Sequence, residues 1–462
     1  MKKVFQLLLA ILCVTSSGYA QFDTATVLGT VRDKTAAPIS GARVTIENLA
    51  TGLRASQVTD ESGNYEFQGV KVGRFKLTAE KEGFTTAFDQ SVTANVNTRQ
   101  RVDFELAVGQ VSETVEVTGT ASLLETDSSQ RGQVVTAQQA VQLPLNGRNY
   151  SSLVLLTTGV RQSAIGTASI STNREGSFNV NGLRSTFNNY MLDGLDNNAY
   201  GTSNQGFSNQ VMQPTPDSIA EFQVVTNNMS AEYGRSGGAT INVVYKSGGN
   251  AFHGDAWEFL RNTALNATGF FKPRDNKTPP LHRNQFGFDV GGPIVKNRFF
   301  FFVDYEGFRQ IRQFVNAITL PTVGMRQFTF ADDVKNPLTG VLYPAGTRIP
   351  ATAFASKVVA DLPPLTDTKA ASSNFVTLQS FRDFTDKYNA KFDYRVNEKL
   401  NGFTRVGQRK ANIYDQPPFP GPSGGDGNGF TRILNQQLVT GMTYVPTATQ
   451  VFEFRFGISR TK

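Results

Sequence analysis

The sequence predicts a mainly β chain in three parts: an N-terminal β-sandwich, a small mixed α/β domain, and the first strands of a transmembrane antiparallel β-barrel. Three observations lead there. Phe (36) and Gly (42) are abundant while Trp occurs once, a composition that suits twisted strands and turns better than helices. Apolar and polar residues alternate with period two over many segments. In the C-terminal half, the connections between such segments alternate between long and short.

Residues 1–20 have the form of a secretory signal. Lys2 and Lys3 precede an apolar run at 4–14, and Gly18, Tyr19 and Ala20 place small residues near a cleavage point. Cys13 is the one cysteine and lies inside this leader, so the mature part offers no disulfide and no thiolate ligand. Net charge is +7, falling to +5 once Lys2 and Lys3 leave with the leader. No Lys/Arg run has nucleic-acid-binding density, so no nucleic-acid partner is expected.

Residues 22–108 read as the sandwich, with about seven short strands separated by turn signals. In 42–48, Val44 and Ile46 share one face and Arg43, Thr45 and Glu47 the other. The turn at 60–64 is expected to join 55–59 to 65–67 as a hairpin. The run GTVRD…PISGARVTIEN…TDESGNYEFQGVKVGRFKLTAEKEGF resembles the carboxypeptidase regulatory-like domain, an Ig-like accessory sandwich. A zinc peptidase would need a His/Glu ligand set and a general base. Only His253 and His282 exist, far from this module and without ligand spacing, so no enzyme, no metal and no cofactor are expected.

Residues 109–130 form a linker. Within it Glu113, Thr114, Val115, Glu116 and Val117 resemble the box that TonB captures in TonB-dependent outer-membrane transporters. The resemblance implies a TonB-type energy-coupling partner and capture by β-augmentation. The same residues also read as a further strand or linker of the first module.

The α/β domain occupies 131–249. A short helix at 137–143 stops before Pro144, and strands are expected at 177–181, 222–226 and 239–244. Asp193-Gly194 is a hairpin-type turn, and Pro216 suits a first helical position. The glycine-rich loop at 234–238 lacks the lysine and spacing of a P-loop, and is expected to pack against a barrel wall. The succession VNGLR, LDGLD, IAEFQVV and EYGRSGGATINVVYKSG resembles a TonB-dependent receptor plug, and with the leading module it resembles the Oar-like receptors. That resemblance implies ligand contact at the plug apex, where Asn188, Asn189, Asn197, Asn198 and Tyr200 are the candidates.

Residues 250–462 supply candidate strands at 252–261, 283–291, 298–308, 384–396, 399–409, 434–444 and 450–460. Tyr388, Ala390, Phe392, Tyr394 and Val396 oppose Asn389, Lys391, Asp393 and Arg395, an apolar-out, polar-in dyad that makes outer-membrane lipid a partner. The run Phe299–Phe302 breaks alternation and suits either an aromatic girdle or a strand end packed on the plug. A plug of this size needs roughly 22 strands around it, so the chain is expected to be a fragment of a longer receptor. The expected function is an outer-membrane receptor that binds an extracellular ligand and admits it to the periplasm. The alternative is a non-transporting adhesion or structural barrel. The ligand itself is not readable; siderophore, cobalamin, carbohydrate and peptide each leave no signature.

Overall fold

Alternating burial in the N-terminal segments sorts one row of side chains inward on each of two sheets. The computed structural model describes residues 24–109, 114–116, 128–163, 177–199, 208–230, 233–234, 236–268, 278–421, 424, 429–447 and 450–462. The expected signal at 1–20 lies outside them. One sheet of the sandwich runs β4 (Asn64–Lys71), β1 (Thr24–Asp33), β7 (Arg99–Arg101), with β8 (Phe104–Leu106) also on β1. The other runs β3 (Arg54–Val58), β2 (Arg43–Asn48), β5 (Gly73–Glu80), β6 (Thr86–Ala94), β9 (Thr114–Glu116). Val27, Val44, Leu77, Ala79, Val92 and Leu106 are completely buried between them. Gly29 is required here, because a Cβ would overlap the Val102 carbonyl.

The hairpin expected across 60–64 is not one. β3 pairs with β2 and β4 with β1, so the turn carries the chain from one sheet to the other. Asp60 Oδ1 accepts from the Ser62 and Asn64 amides, and Gly63 sits at φ 74°. This turn chemistry is local, whereas pairing is decided by which core face each strand fills.

The second unit is a five-stranded sheet ordered β10 (Arg131–Thr136), β15 (Ile219–Asn227), β16 (Thr240–Tyr245), β13 (Asn189–Leu192), β14 (Leu195–Asp196). A hairpin of β11 (Val160–Gln162) and β12 (Phe178–Val180) stands apart from it. Helix α1 (Ala137–Gln142) opens on a capping box between Thr136 and Gln139 and stops ahead of Pro144. β15 and β16 are buried along nearly their whole length, a burial pattern unlike the one-sided barrel strands. The glycine loop packs on its own domain instead of a barrel wall. Gly237 and Gly238 donate to the Phe187 carbonyl, and a Cβ on Gly238 would meet the Asn188 side chain.

The third unit is an arc of seven strands wrapped around the second. Its order is β17 (His253–Asn262), β18 (Leu281–Val295), β19 (Phe299–Ile318), β22 (Phe375–Arg395), β23 (Leu400–Asp415), β24 (Gly429–Thr447), β25 (Gln450–Thr461). The connection between β19 and β22 carries a small hairpin, β20 (Val334–Lys335) with β21 (Leu342–Tyr343), and helices α2 (Val323–Arg326) and α3 (Ala353–Asp361). All seven expected strands are present, but β19 and β22 run about ten residues further than expected, paired from Phe299–Tyr394 to Ile318–Phe375. Along the added residues of β19 the strict alternation of burial fades.

Across the membrane the dyad is clear. Asp304, Glu306, Lys387, Lys391, Arg405 and Arg409 are buried on the inside, while Tyr388, Val406, Phe452, Phe454, Phe456 and Ile458 are exposed outside. The run Phe299–Phe302 divides between its two readings. Phe300 and Phe302 are buried inward, and Phe299 and Phe301 meet Phe392 and Phe252 on the outer face. For the sheet inserted in lipid, Phe454→Arg is expected to cost about 2–4 kcal/mol of insertion stability while Ser459→Arg on the luminal row costs far less. Urea titration of folding into lipid vesicles measures both.

Candidate functional site

The turn Asp193-Gly194 joins β13 to β14 with both residues at positive φ, 49° and 73°. That geometry aims the Asp193 carboxylate at the barrel wall. Oδ1 accepts from Lys391 Nζ on β22 at 3.0 Å and from the Tyr245 amide at 3.0 Å. Oδ2 accepts from Arg405 Nε on β23 at 2.6 Å. Lys391 also donates to the Tyr245 carbonyl at 3.1 Å, and Arg405 to Gln437 Oε1 at 2.6 Å while lying over the Tyr245 ring. Asp193 and Arg405 are both fully buried. Burial opposes ionisation of Asp193, but Lys391, Arg405 and the Tyr245 N–H together hold its carboxyl below the usual range.

A second lock forms at the turn before Tyr150, where Gly147 and Arg148 also sit at positive φ. Arg148 Nε donates to Glu306 Oε2 at 3.3 Å, its guanidinium pairs with Asp217, and Lys387 Nζ reaches Glu306 Oε1 at 3.2 Å. The guanidinium lies over Phe259 and Trp257 of β17. Nearby, Asn146 Oδ1 accepts from Arg283 at 2.8 Å and Arg261 at 3.0 Å. Asn435 Nδ2 donates to the Val211 carbonyl at 2.6 Å. The second unit is thus seated in the barrel by polar contacts at several heights. From the sequence, Asp193 reads only as a turn residue. The inward charged row of β22, already visible as Asn389, Lys391 and Asp393, was the available signal that something charged must answer it.

The apex asparagines are engaged within their own domain. Asn188 donates to the Phe178 carbonyl and accepts from the Ala239 amide. Asn197 exchanges both amide bonds with the Met212 backbone. Asn198 accepts from the Tyr190 amide and donates to Asn189 Oδ1, while Asn189 Nδ2 reaches the Gly234 carbonyl. Tyr200 lies outside the described residues. Beside Asn198 a groove of about 440 Å³ is lined by Leu195, Asp196 and Val211 and by Gly457 and Ser459 of β25, with Leu195 packed on Gly457. Among the described residues, no group of three or more His, Cys, Asp or Glu is placed to hold a metal ion.

On the opposite side the sandwich meets both other units. The Val96 amide donates to Glu221 of β15, and Asn97 Nδ2 to Gln223 at 3.1 Å. Lys71 pairs with Asp393 at 2.7 Å, and Asn250 donates to the Ala50 and Thr51 carbonyls. Burial lifts the Glu221 carboxyl from 4.5 to about 7, against the lowering effect of the Val96 N–H. Of the coupling-segment candidates, Thr114, Val115 and Glu116 form β9, paired parallel to β6; Glu113 and Val117 lie outside the described residues.

Three family descriptions match successive parts of the chain: Carboxypeptidase regulatory-like domain at 26–107, TonB-dependent Receptor Plug Domain at 125–241, and Outer membrane beta barrel domain at 244–462. The TonB-dependent transporter Oar of Myxococcus xanthus is 29% identical over 308 residues, which cover 63% of this chain and 27% of that protein. Among solved structures, the outer membrane transporter YddB of Escherichia coli superposes with a TM-score of 0.45 at 13% identity, covering 71% of this chain and 38% of that one. The siderophore receptor PirA of Acinetobacter baumannii gives 0.35 at 16% identity, over 71% and 47%.

Asp193→Asn leaves two buried cations facing a neutral amide and is expected to loosen the seated domain by about 3–5 kcal/mol. A double-mutant cycle with Lys391→Met should return a coupling of about 0.5–3 kcal/mol, read from protease resistance of the membrane-inserted protein. At Glu221 the docked state binds its proton more tightly than the exposed carboxyl does. Docking therefore weakens as pH rises from about 4.5 through about 7. Glu221→Gln keeps an acceptor for Val96 and should flatten that dependence, as seen by scanning calorimetry of the protein across this window.

Proposed function

We propose that this chain, an Oar-like TonB-dependent receptor of the outer membrane, binds an extracellular ligand and admits it to the periplasm when a TonB-type protein pulls on the linker. The observation that carries this reading is the polar seating of the plug. Asp193, Arg148 and Asn146 hold it through ion pairs and hydrogen bonds that water can replace, so a pulled plug can rearrange without exposing an oily face. TonB-dependent receptors are transporters and not enzymes, and no covalent chemistry is assigned to any residue.

Ligand contact belongs to the outward surface of the plug. The amides of Asn188, Asn189, Asn197 and Asn198 shape that surface, and the contact is proposed for the loop they support, Tyr200 included, and for the groove beside Asn198. Residues 113–117 are the proposed coupling segment. Their β-branched character and extended backbone at β9 suit addition to a partner's sheet edge. Cleavage of a leader at 1–20 is part of the same proposal.

Proline removes a backbone donor that strand addition needs. In a full-length receptor, Val115→Pro should therefore abolish binding of the periplasmic domain of a TonB-type protein while leaving outer-membrane insertion intact. Co-purification and membrane fractionation measure the two. Unchanged binding would favour a barrel that serves adhesion or structure without energised transport.

A further inference from the structure

Arg261 on β17 and Arg283 on β18 stand directly opposite each other in register, and both reach inward to the plug. Like charges so placed repel, and Arg312 on β19 adds to the repulsion at Arg283. What joins them is one neutral atom. Asn146 Oδ1, on an exposed turn of the plug, accepts from Arg283 Nη1 at 2.8 Å and from Arg261 Nη1 at 3.0 Å. We propose that this pair is a site for an oxyanion of the ligand, a carboxylate or a phosphate, which replaces Asn146 between the two guanidinium groups and frees the turn from the wall. The inference rests on reading the protein as a receptor whose ligand meets the outward surface of the plug.

Three features support the exchange. The other charged seats of the plug set a carboxylate against cations: Asp193 against Lys391 and Arg405, Glu306 against Arg148 and Lys387. Seating alone would be served better by Asp at 146, which has the shape of Asn and the charge it lacks. Among the described residues no carboxylate is hydrogen-bonded to Arg261 or Arg283; Asp383, which acts on Arg283 through space, lies two strands away on β22 and accepts from Thr385. The receiving group is also oriented and reachable. Arg283 Nε is held by Gln310 Oε1 at 2.7 Å over the Phe308 ring, and the pair lies one step from the end of β17, where Arg261 and Asn146 are exposed. An oxyanion accepting from both forks makes charge-assisted bonds that an amide oxygen cannot match. It therefore favours the state in which the turn has left. That turn also carries Gly147, whose carbonyl accepts from Gln285 at 3.3 Å, and Arg148 of the second lock. Contact with ligand outside thus bears directly on how the plug is held.

The probes are inorganic phosphate and citrate, titrated by calorimetry into the membrane-inserted protein at constant ionic strength, with sucrose as the neutral control. At least one oxyanion should bind saturably, and sucrose should not. Trp257 is the one tryptophan of the chain and lies under the Arg148 guanidinium at 5.2 Å, so its emission should shift in the same titration. Asn146→Ala removes the competitor and should tighten binding about threefold or more. The isosteric Asn146→Asp should weaken it about tenfold or more, as should Arg283→Gln. A folding defect does not move affinity in opposite directions at one position. Binding of neither oxyanion, equal binding of sucrose, emission unmoved by a bound probe, or affinities indifferent to the Asn146 variants overturns the inference. The partner-binding test of Val115→Pro separates the causes. If Val115→Pro spares the partner while the oxyanion results hold, only the energised reading fails. In the reverse case only the oxyanion site fails.

Discussion

One buried carboxylate between two buried cations fixes how the plug sits. A barrel strand must turn every second side chain inward, and here that row is charged: Lys387, Lys391, Arg405 and Arg409 are all buried. Cations at that depth need a partner. Asp193 supplies it for two of them, and only because a left-handed two-residue turn places its carboxylate beyond the end of β13. The neighbouring backbone is drawn into the same arrangement, since Tyr245 gives its N–H to the carboxylate and its carbonyl to Lys391. The ends of β13 and β16, paired in parallel, are thereby held against β22 and β23 together.

Interfaces between the units differ in kind from the interiors. Sandwich and plug each have their own apolar cluster, and the barrel's clusters share no residue with either. Polar contacts join them, Glu221 to Val96, Lys71 to Asp393 and Arg148 to Glu306, beside a few apolar ones such as Leu195 on Gly457 and Met212 on Gly407. Each unit can shift as a body without opening its own core. A buried polar contact of this sort contributes less to net stability than an equal area of packed side chains, but it strongly disfavours the wrong register.

The fold was legible because strand periodicity and turn dipeptides are local signals. The Asp193-Gly194 hairpin, the helix ahead of Pro144 and all seven barrel strands followed from residues within a few positions of each other. What could not be read depended on distant partners. Residues 60–64 carry good turn chemistry, but pairing of the flanking strands was settled by the two sheets they fill. The candidate site shows the same division. The apex asparagines were singled out for ligand contact by resemblance, and their amides serve the plug's own backbone. Asp193 looked like a turn residue because Arg405 stands more than 200 positions away.

β19 and β22 contain 20 and 21 residues, about twice the length of β17. At roughly 3.4 Å per residue and a tilt near 45°, such a pair stands about 47 Å tall, against an apolar band of about 25 Å. Beyond Arg312 and Phe381, where pairing with β18 and β23 ends, six residue pairs continue as a two-stranded ribbon of about 14 Å, with 319–374 at its top. Whatever that segment meets, it meets well clear of the lipid headgroups.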